Sequence, residues 1–301
     1  MKATVIALGF FDGVHLGHGA LLRRAVEAAR ERNATPVVFT FDRPPKEVVT
    51  GKTVYLINSA AERRELARRL YGIEEVILAP FDEQMMKCTW DRFVTELLVK
   101  EHGAVHLVAG HDHRFGYKNE GTPELLKAKC AELGIGCDII PAVEVEGITV
   151  SSTHIRKLLE SGEVEEAAKF LGHRHCLTQT VQHGFRLGRT IGVPTVNLAV
   201  PHNILTPAFG VYVTRVYLSD GRNFAGVTNV GTRPTVSDSD AVSVETFLLD
   251  FDGDLYDQEI RVEFCRRLRG EKKFDSLEDL RQEIQRNAQQ TREYFQENPI
   301  E

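Results

Sequence analysis

The chain has 301 residues, of which 42% are hydrophobic and 27% are charged, and its formal net charge is −6. This composition is typical of a globular protein, and the length predicts roughly two domains. The negative charge gives no electrostatic basis for binding nucleic acid or an acidic membrane surface. No apolar stretch approaches the roughly 20 residues that span a bilayer. We therefore expect a soluble protein without nucleic-acid or membrane partners.

The cysteines indicate a reducing compartment. Five of them are dispersed along the chain without a CxxC pair: Cys88, Cys130, Cys137, Cys176 and Cys265. An odd, scattered set is typical of free thiols and argues against a disulfide scaffold or a cysteine-zinc site. The apolar run at the N-terminus is also too short for a signal peptide. We expect a cytoplasmic location.

The first part of the chain alternates short β-rich runs with amphipathic helices. The strand candidates are residues 4–9, Pro36–Phe41, Glu75–Ala79, Val105–Ala109 and Cys137–Pro141. Ser59 and Glu62 form a capping box, which marks a helix start, and Thr122-Pro123 marks another. Such alternation predicts right-handed βαβ units around a parallel sheet, an α/β domain of Rossmann-like type.

After Gly172 the pattern changes to short strands that are separated by turn residues. Val211–Leu218, Val244–Leu249 and Ile260–Phe264 are strand candidates, and this spacing predicts a small antiparallel barrel or sandwich. Helical spacing from Ser276 to about Gln296 predicts one terminal helix. We expect two domains, at residues 1–172 and 173–301.

A first candidate site is the stretch GFFDGVHLGH at residues 9–18, which places His15 and His18 where a strand meets a helix. A helix start offers unpaired N–H groups and a positive dipole end, which favour an anion such as phosphate. The alternative is a metal pair, for which His111 and His113 would supply further ligands. The residues alone leave both readings open.

A second candidate site is the stretch SSTHIR at residues 151–156, just before another helical run. Its hydroxyls and Arg156 would gather at a helix start, although such a segment by itself is more often a capped surface helix. HxGH and SSTxIR together in one α/β domain are far more specific, and they favour the phosphate interpretation.

These motifs resemble those of the nucleotidyltransferase superfamily. The longer form FDGVHLGH, with AGHDHRFG at 109–116, is similar to the adenylyltransferase half of prokaryotic bifunctional riboflavin kinase/FAD synthetases. The second half resembles the kinase half of that family through GRTIGVPTVNL at 188–198, NVGTRPT at 229–235 and VET at 244–246. The resemblance covers essentially the whole chain and implies a Rossmann-like domain followed by a small antiparallel barrel with a terminal helix.

The resemblance implies two ATP-dependent activities. They are phosphorylation of riboflavin to FMN and adenylylation of FMN to FAD with release of pyrophosphate. Riboflavin, FMN, FAD and ATP would be the ligands, Mg²⁺ the metal, and no protein partner would be obligatory. Two alternatives stay open: a nucleotidyltransferase for a phosphopantetheine or cytidylyl substrate, and a flavin- or nucleotide-binding regulator without catalysis.

The resemblance also implies roles for particular residues. In adenylylation the catalytic residues would be His15, His18 and Arg156, and the nucleotide-binding ones would be Gly9, Phe11, Asp12, Gly17, Asp112, Ser152 and Thr153. In the kinase half Glu245 would be the general base, Thr195 and Asn197 would bind Mg²⁺, and Gly188, Arg189, Gly192 and Asn229 would bind substrates. Without the resemblance, Glu245 would pass for an exposed strand residue.

The chain departs from the family pattern at several positions. Arg43 lies in FDRPP where the family usually has an HP pair, and it is equally compatible with a phosphate or base contact and with a solvated loop. His113 and Phe247 replace the usual aromatic residue and the frequent histidine. Val196 replaces an alanine and Asp257 a glycine. Strand alternation predicts that Val196 faces away from Thr195 and Asn197.

Overall fold

The protein is described by a computed structural model that covers residues 2–182, 193–232 and 242–299. Its contacts divide the chain into two compact units, Met1–Ser152 and Thr153–Glu301. None of the helices within the described ranges combines the length and the apolar character needed to cross a bilayer.

The first unit contains a parallel five-stranded sheet in the order β3-β2-β1-β4-β5. Its strands are β1 (Thr4–Leu8), β2 (Thr35–Phe41), β3 (Glu75–Ala79), β4 (Ala104–Gly110) and β5 (Gly136–Ile140). Each agrees with its predicted run to within one residue at either end. The Rossmann-like prediction is confirmed.

Helices cover both faces of this sheet. They are α1 (Leu16–Arg32), α2 (Pro45–Thr50), α3 (Ala60–Tyr71), α4 (Glu83–Met86), α5 (Trp90–Arg92), which continues as a π-helix over Phe93–Glu101, and α6 (Pro123–Glu132). The alternation of β1 sends Val5 and Ala7 into a core with α1 and α3, and Ile6 and Leu8 into a core on the opposite face. The sheet is therefore buried on both sides, as parallel sheets generally are.

The strand order places two of the sequence motifs together. The chain order of the strands reverses between β1 and β4, which are neighbours in the sheet. The stretch GFFDGVHLGH follows β1, and the segment HDHRFG follows β4. In open α/β sheets ligands bind at the carboxyl ends of the strands, at such a switch point.

The second unit contains a closed barrel in the order β10-β11-β12-β9-β8-β13. Its strands are β8 (Cys176–Gln182), β9 (Val196–Leu198), β10 (Gly210–Leu218), β11 (Asn223–Thr232), β12 (Val242–Leu248) and β13 (Glu259–Arg269), all antiparallel to their neighbours. The barrel, rather than the sandwich, is thus the fold of this unit. Tyr212 and Phe264 fill its interior.

Within the described ranges, three helices accompany the barrel. They are α7 (Ser152–Ser161), α8 (Val164–Leu171) and α9 (Leu277–Glu297). Arg267 Nη1 donates a hydrogen bond to the Ser161 carbonyl (2.9 Å), and the Ala208 N–H donates one to the Leu159 carbonyl (2.9 Å). The C-terminal part of α7 is therefore anchored within the second unit. Ser276 is the N-cap of α9, and the bounds of this helix agree with the predicted ones to within one residue.

The two-stranded hairpin β6 (Glu144–Val145) and β7 (Ile148–Thr149) has no counterpart among the predicted elements. Strands of two residues are too short to show a period of two. The π-helix over Phe93–Glu101 is likewise absent from the prediction, because its apolar residues follow ordinary helical spacing.

Candidate functional site

The two histidines of the first motif lie stacked at the N-terminus of α1. Their ring centroids are 3.6 Å apart and their planes differ by 11°. His15 is the N-cap residue, and its Nδ1 accepts a hydrogen bond from the His18 N–H at 3.2 Å. A Cβ atom on Gly17 would lie 3.1 Å from His15 Cε1. Glycine between the histidines therefore leaves room for the His15 ring to fold back over the helix start.

The surroundings of His18 keep its ring neutral. Burial, with the nearby His15 and Arg63, holds the pKa of His18 well below its usual value. The Phe11 ring meets it edge-on at 5.2 Å, and its Nδ1 is buried without a hydrogen-bond partner among the described residues. At neutral pH His18 is therefore an uncharged hydrogen-bonding group.

Asp12 and Ser152 hold the loop that carries the histidines. Asp12 is buried, and its Oδ1 accepts hydrogen bonds from the N–H groups of Ile57 (2.9 Å) and Asn58 (3.2 Å). Ser152 Oγ donates to the Asp12 carbonyl at 2.8 Å. Both predicted nucleotide-binding residues thus connect this loop to other segments. Phe11 also anchors this loop, since its side chain is buried in the core.

Arg63 also lies near His18, although no motif in the sequence marks it. It is buried on α3, and its guanidinium donates to the carbonyls of Phe10 (2.6 Å) and Phe41 (3.0 Å) and to Thr40 Oγ1 (2.8 Å). Burial lowers the pKa of Arg63, although Asp12 and Asp42 oppose the shift. An arginine stays protonated under such conditions. The carboxyl ends of β1 and β2 therefore carry a buried positive charge.

An apolar cavity of about 220 Å³ lies beside the same strand ends. Gly9 and Phe10 of the first motif line it together with His113 and Phe115 of the segment after β4. Its remaining wall is mostly aromatic or sulfur-containing, and includes Phe39, Phe41, Phe81, Met85, Met86 and Phe93. A flat aromatic ligand would match this lining.

Asp112, Thr153 and Arg156 are also predicted for this site. Asp112 is exposed just after β4, and Thr153 is exposed in the first turn of α7. Arg156 is half-buried on α7 and, like Thr153, belongs to the second compact unit. The part that these three residues take in adenylylation stays a prediction.

In the second unit, strand register aligns three of the predicted residues. Glu245 on β12 is paired with Asn229 on β11 and with Asn197 on β9. Residues in register on adjacent strands present their side chains to the same face of a sheet. Ser243 Oγ donates a hydrogen bond to Glu245 Oε1 at 3.2 Å, which limits the freedom of the carboxylate.

Glu245, Asn229 and Thr195 line a cavity of about 340 Å³ on the outer face of the barrel. Val211, Val227 and Phe247 contribute its apolar wall from the strands. The apolar side of α9 contributes Leu277, Leu280 and Ile284, the residues whose spacing predicts that helix. Arg269 and Phe274 line it as well, although neither is among the residues that the sequence predicts for this site.

A smaller cavity of about 90 Å³ adjoins Thr195 on another side. Val196, Phe251 and Tyr256 are among the residues that line it. Val196 lines this cavity and not the larger one, but Thr195 lines both, so the prediction that Val196 faces away from Thr195 stays a prediction.

Some residues predicted from the sequence lie outside the described ranges. The structure also bears on the alternative that the histidines bind a metal ion. Gly188, Arg189 and Gly192 fall outside the described ranges, as do residues 233–235 of the NVGTRPT motif. Within the described ranges, no cluster of three or more His, Cys, Asp or Glu side chains has the arrangement of a metal site.

Two family models match the chain, one in each half. The FAD synthetase model matches residues 1–154, and the riboflavin kinase model matches residues 171–295. The fold and these matches place the chain among two-domain transferases.

Similar full-length proteins narrow this class. A bifunctional riboflavin kinase/FMN adenylyltransferase from Listeria monocytogenes is 34% identical over 97% of this chain and 92% of its own length. The one from Escherichia coli strain K12 is 36% identical over 98% and 93%. The chain belongs to the family of bifunctional riboflavin kinase/FMN adenylyltransferases.

A solved structure shares the fold of nearly the whole chain. The crystal structure of a protein from Streptococcus pneumoniae, described as a macrolide-efflux protein, aligns with a TM-score of 0.84 and 34% identity. The alignment covers 97% of this chain and 94% of that one.

Proposed function

We propose that this chain converts riboflavin to FAD in two ATP-dependent steps, phosphorylation in the barrel unit and adenylyl transfer in the Rossmann-like unit. The observation that carries the proposal is common to both units. In each, an apolar cavity able to take a flat ring system lies beside polar groups suited to phosphate chemistry. Family membership agrees with this assignment.

In adenylyl transfer, a phosphate oxygen of FMN forms a bond to the α-phosphorus of ATP while the bond to the pyrophosphate oxygen breaks. Negative charge develops on the non-bridging oxygens, so catalysis depends on positioning and on charge stabilisation. The His15 Nδ1 accepts a hydrogen bond from the backbone, and the proton of its neutral ring therefore lies on Nε2. That N–H, with His18 and the helix N-terminus, would donate to the transferring phosphate.

The aromatic cavity would hold the flavin ring of FMN during this step. It shares Gly9 and Phe10 with the loop that carries the histidines, so a ring bound there would extend its phosphate toward α1. Arg156 would contact the phosphates of ATP, and Gly17, Asp112, Ser152 and Thr153 would complete the nucleotide site. Asp12 would act by fixing the loop.

In the kinase step, the 5′-hydroxyl of riboflavin loses its proton to Glu245 as its oxygen attacks the γ-phosphorus of ATP, and ADP leaves. The hydrogen bond from Ser243 holds the carboxylate in place, and Asn229 and Asn197 flank it in register. The flavin ring would lie in the larger cavity between the barrel and the apolar side of α9. Gly188, Arg189 and Gly192 would bind ATP.

Thr195 and Asn197 fit a Mg²⁺ ion that arrives with ATP. Their side chains offer neutral oxygen donors, which Mg²⁺ accepts when substrate phosphates and water complete its coordination. The bound ion would neutralise charge on the phosphates. The two residues would position it beside Glu245, which supplies the negative charge that neutral donors lack.

We also propose that the enzyme acts in the cytoplasm on small-molecule substrates and without an obligate protein partner. All five cysteines are free thiols, as a reducing compartment would maintain them.

Incubation of the protein with riboflavin, ATP and MgCl₂ tests the proposal, with products separated by chromatography. We expect FMN to form first and FAD to follow. FMN supplied in place of riboflavin should give FAD directly, and omission of MgCl₂ should stop the kinase step. If neither flavin is converted, the chain is a binding protein. If only another acceptor is adenylylated, it is a transferase of different specificity.

The separation of the two activities gives a further prediction about fragments. A fragment of residues 153–301 contains Thr195, Asn197 and Glu245 and should phosphorylate riboflavin unaided. A fragment of residues 173–301 has the same three residues but lacks α7 and α8. These helices bury six apolar side chains: Ile155, Leu159, Val164, Ala167, Phe170 and Leu171.

Because burial of each of the five larger side chains stabilises by about 1.5–3 kcal/mol before entropy is subtracted, we expect the shorter fragment to melt about 10 °C lower or more. Circular dichroism melting and a riboflavin kinase assay of both fragments measure this. Glu245→Gln in the longer fragment is the control for contaminating kinase. A folded 153–301 fragment without kinase activity would show that the kinase site needs residues of the first unit.

A further inference from the structure

His113 contributes one of the few polar side chains in the aromatic cavity of the first unit. Its ring lies nearly parallel to that of Phe115, with centroids 5.5 Å apart and planes 17° apart. Arg114 and Asn119 also line the cavity, and the rest of its wall is apolar. The imidazole is therefore a polar group in an apolar surface.

One nitrogen of this ring has no partner in the described part of the chain. The Nε2 atom is buried and makes no hydrogen bond to any described residue. An unpaired buried polar atom costs about 1–3 kcal/mol relative to a satisfied one. Such a cost is often found where a ligand supplies the missing partner.

His113 is also neutral at physiological pH. Burial lowers its pKa to about 4, and the nearby Asp112 opposes this shift only in part. A neutral imidazole presents one N–H donor and one acceptor nitrogen. It is therefore suited to a hydrogen bond with a neutral polar atom of a ligand, whereas an anionic group would be bound better by a cation.

We infer that His113 strengthens flavin binding in the adenylylation step of this chain by making one hydrogen bond from Nε2 to the polar edge of the isoalloxazine ring. The inference rests on the proposed function, because it requires that FMN occupy this cavity. The aromatic wall holds any flat ring of suitable size. The edge nitrogens and carbonyl oxygens of a flavin distinguish it from an apolar ring, and they offer the partner that Nε2 lacks.

The substitution His113→Phe tests this inference because it keeps a ring and removes the nitrogen. We expect the KM for FMN in FAD formation to rise about 10- to 100-fold, since a ring atom of the flavin loses its partner on binding. The kcat should stay within about threefold and the KM for ATP within about twofold, because the contact is made equally in the ground state and the transition state.

Thermal melting supplies a second readout. The free protein should melt at the same temperature as wild type or higher in His113→Phe, because an unsatisfied nitrogen has been removed. A residue with a merely structural role would show a lower melting temperature. His113→Gln restores a donor and an acceptor, and it should recover at least part of the FMN affinity.

His111→Phe is the matched control. His111 is exposed two positions earlier in the same segment, so this change should leave the KM for FMN as in wild type. A KM for FMN within twofold of wild type in His113→Phe would overturn the inference, as would an equal rise in both phenylalanine variants. If the wild-type protein itself forms no FAD, the proposed function is contradicted, and this outcome is distinct from a failure of the inference about His113.

Discussion

Replacement of His18 by alanine is expected to slow FAD formation by roughly 10²–10³-fold, the usual effect of removing one donor that stabilises transition-state charge. The ring of His18 stacks on His15 and is held neutral by burial, so its loss removes a preorganised hydrogen-bonding group. His15→Ala is a less direct test, because it also removes the helix cap and destabilises α1 by about 1 kcal/mol.

FMN formation from riboflavin in the same sample is the internal control for His18→Ala, since Glu245 lies in the other unit. Chromatography of one reaction therefore reports both steps. Equal loss of both activities would mean that His18 maintains the fold. An unchanged rate of FAD formation would remove it from the mechanism.

Glu245→Gln should slow riboflavin phosphorylation by roughly 10²–10⁴-fold, because the amide keeps the shape of the side chain and cannot accept the hydroxyl proton. The carboxylate is held by Ser243 at the larger cavity of the barrel unit, where we propose that riboflavin binds. The measurement is the initial rate of FMN formation at saturating riboflavin, ATP and Mg²⁺.

Two controls accompany this substitution. Glu259→Gln makes the same chemical change at an exposed position of β13, and it should leave the kinase rate unchanged. Supplied FMN should be adenylylated by Glu245→Gln at the wild-type rate. A kinase rate within threefold of wild type would dismiss the general-base role.

The sequence predicts the fold well where local patterns carry the information. Period-two runs, the Ser59 capping box and the stripe of Leu277, Leu280 and Ile284 all correspond to observed elements. The choice between barrel and sandwich depends on which strands pair at the ends of the sheet. That pairing is non-local, and the residues alone leave it open.

The sequence motifs single out residues for the site, but they say less about how each residue acts. Phe11 and Asp12 are predicted as nucleotide-binding residues, and the structure gives each a packing or hydrogen-bonding part within its loop. Arg63 belongs to no sequence motif. It is one of four arginines on α3, and only its burial between two strand ends separates it from Arg64, Arg68 and Arg69.

One departure from the family pattern has a backbone explanation. Asp257 has a φ of 61°, in the left-handed region. Glycine enters this region freely, and aspartate is among the few other residues that tolerate it. The family's usual glycine and the aspartate of this chain therefore satisfy the same turn, although the sequence alone does not reveal the dihedral angle.

The buried guanidinium of Arg63 has a consequence for the response to ionic strength. Exposed charges separated by more than about 8–10 Å are largely screened at physiological salt, whereas buried charges are screened much less. Two donor nitrogens of Arg63 are occupied by Thr40 and the carbonyls of Phe10 and Phe41, and its charge still acts on His18. Phosphates at the end of β1 would thus be attracted by a field that added salt scarcely reaches. Nucleotide affinity at this site should accordingly decline less steeply between low and high salt than it would if surface lysines supplied the attraction.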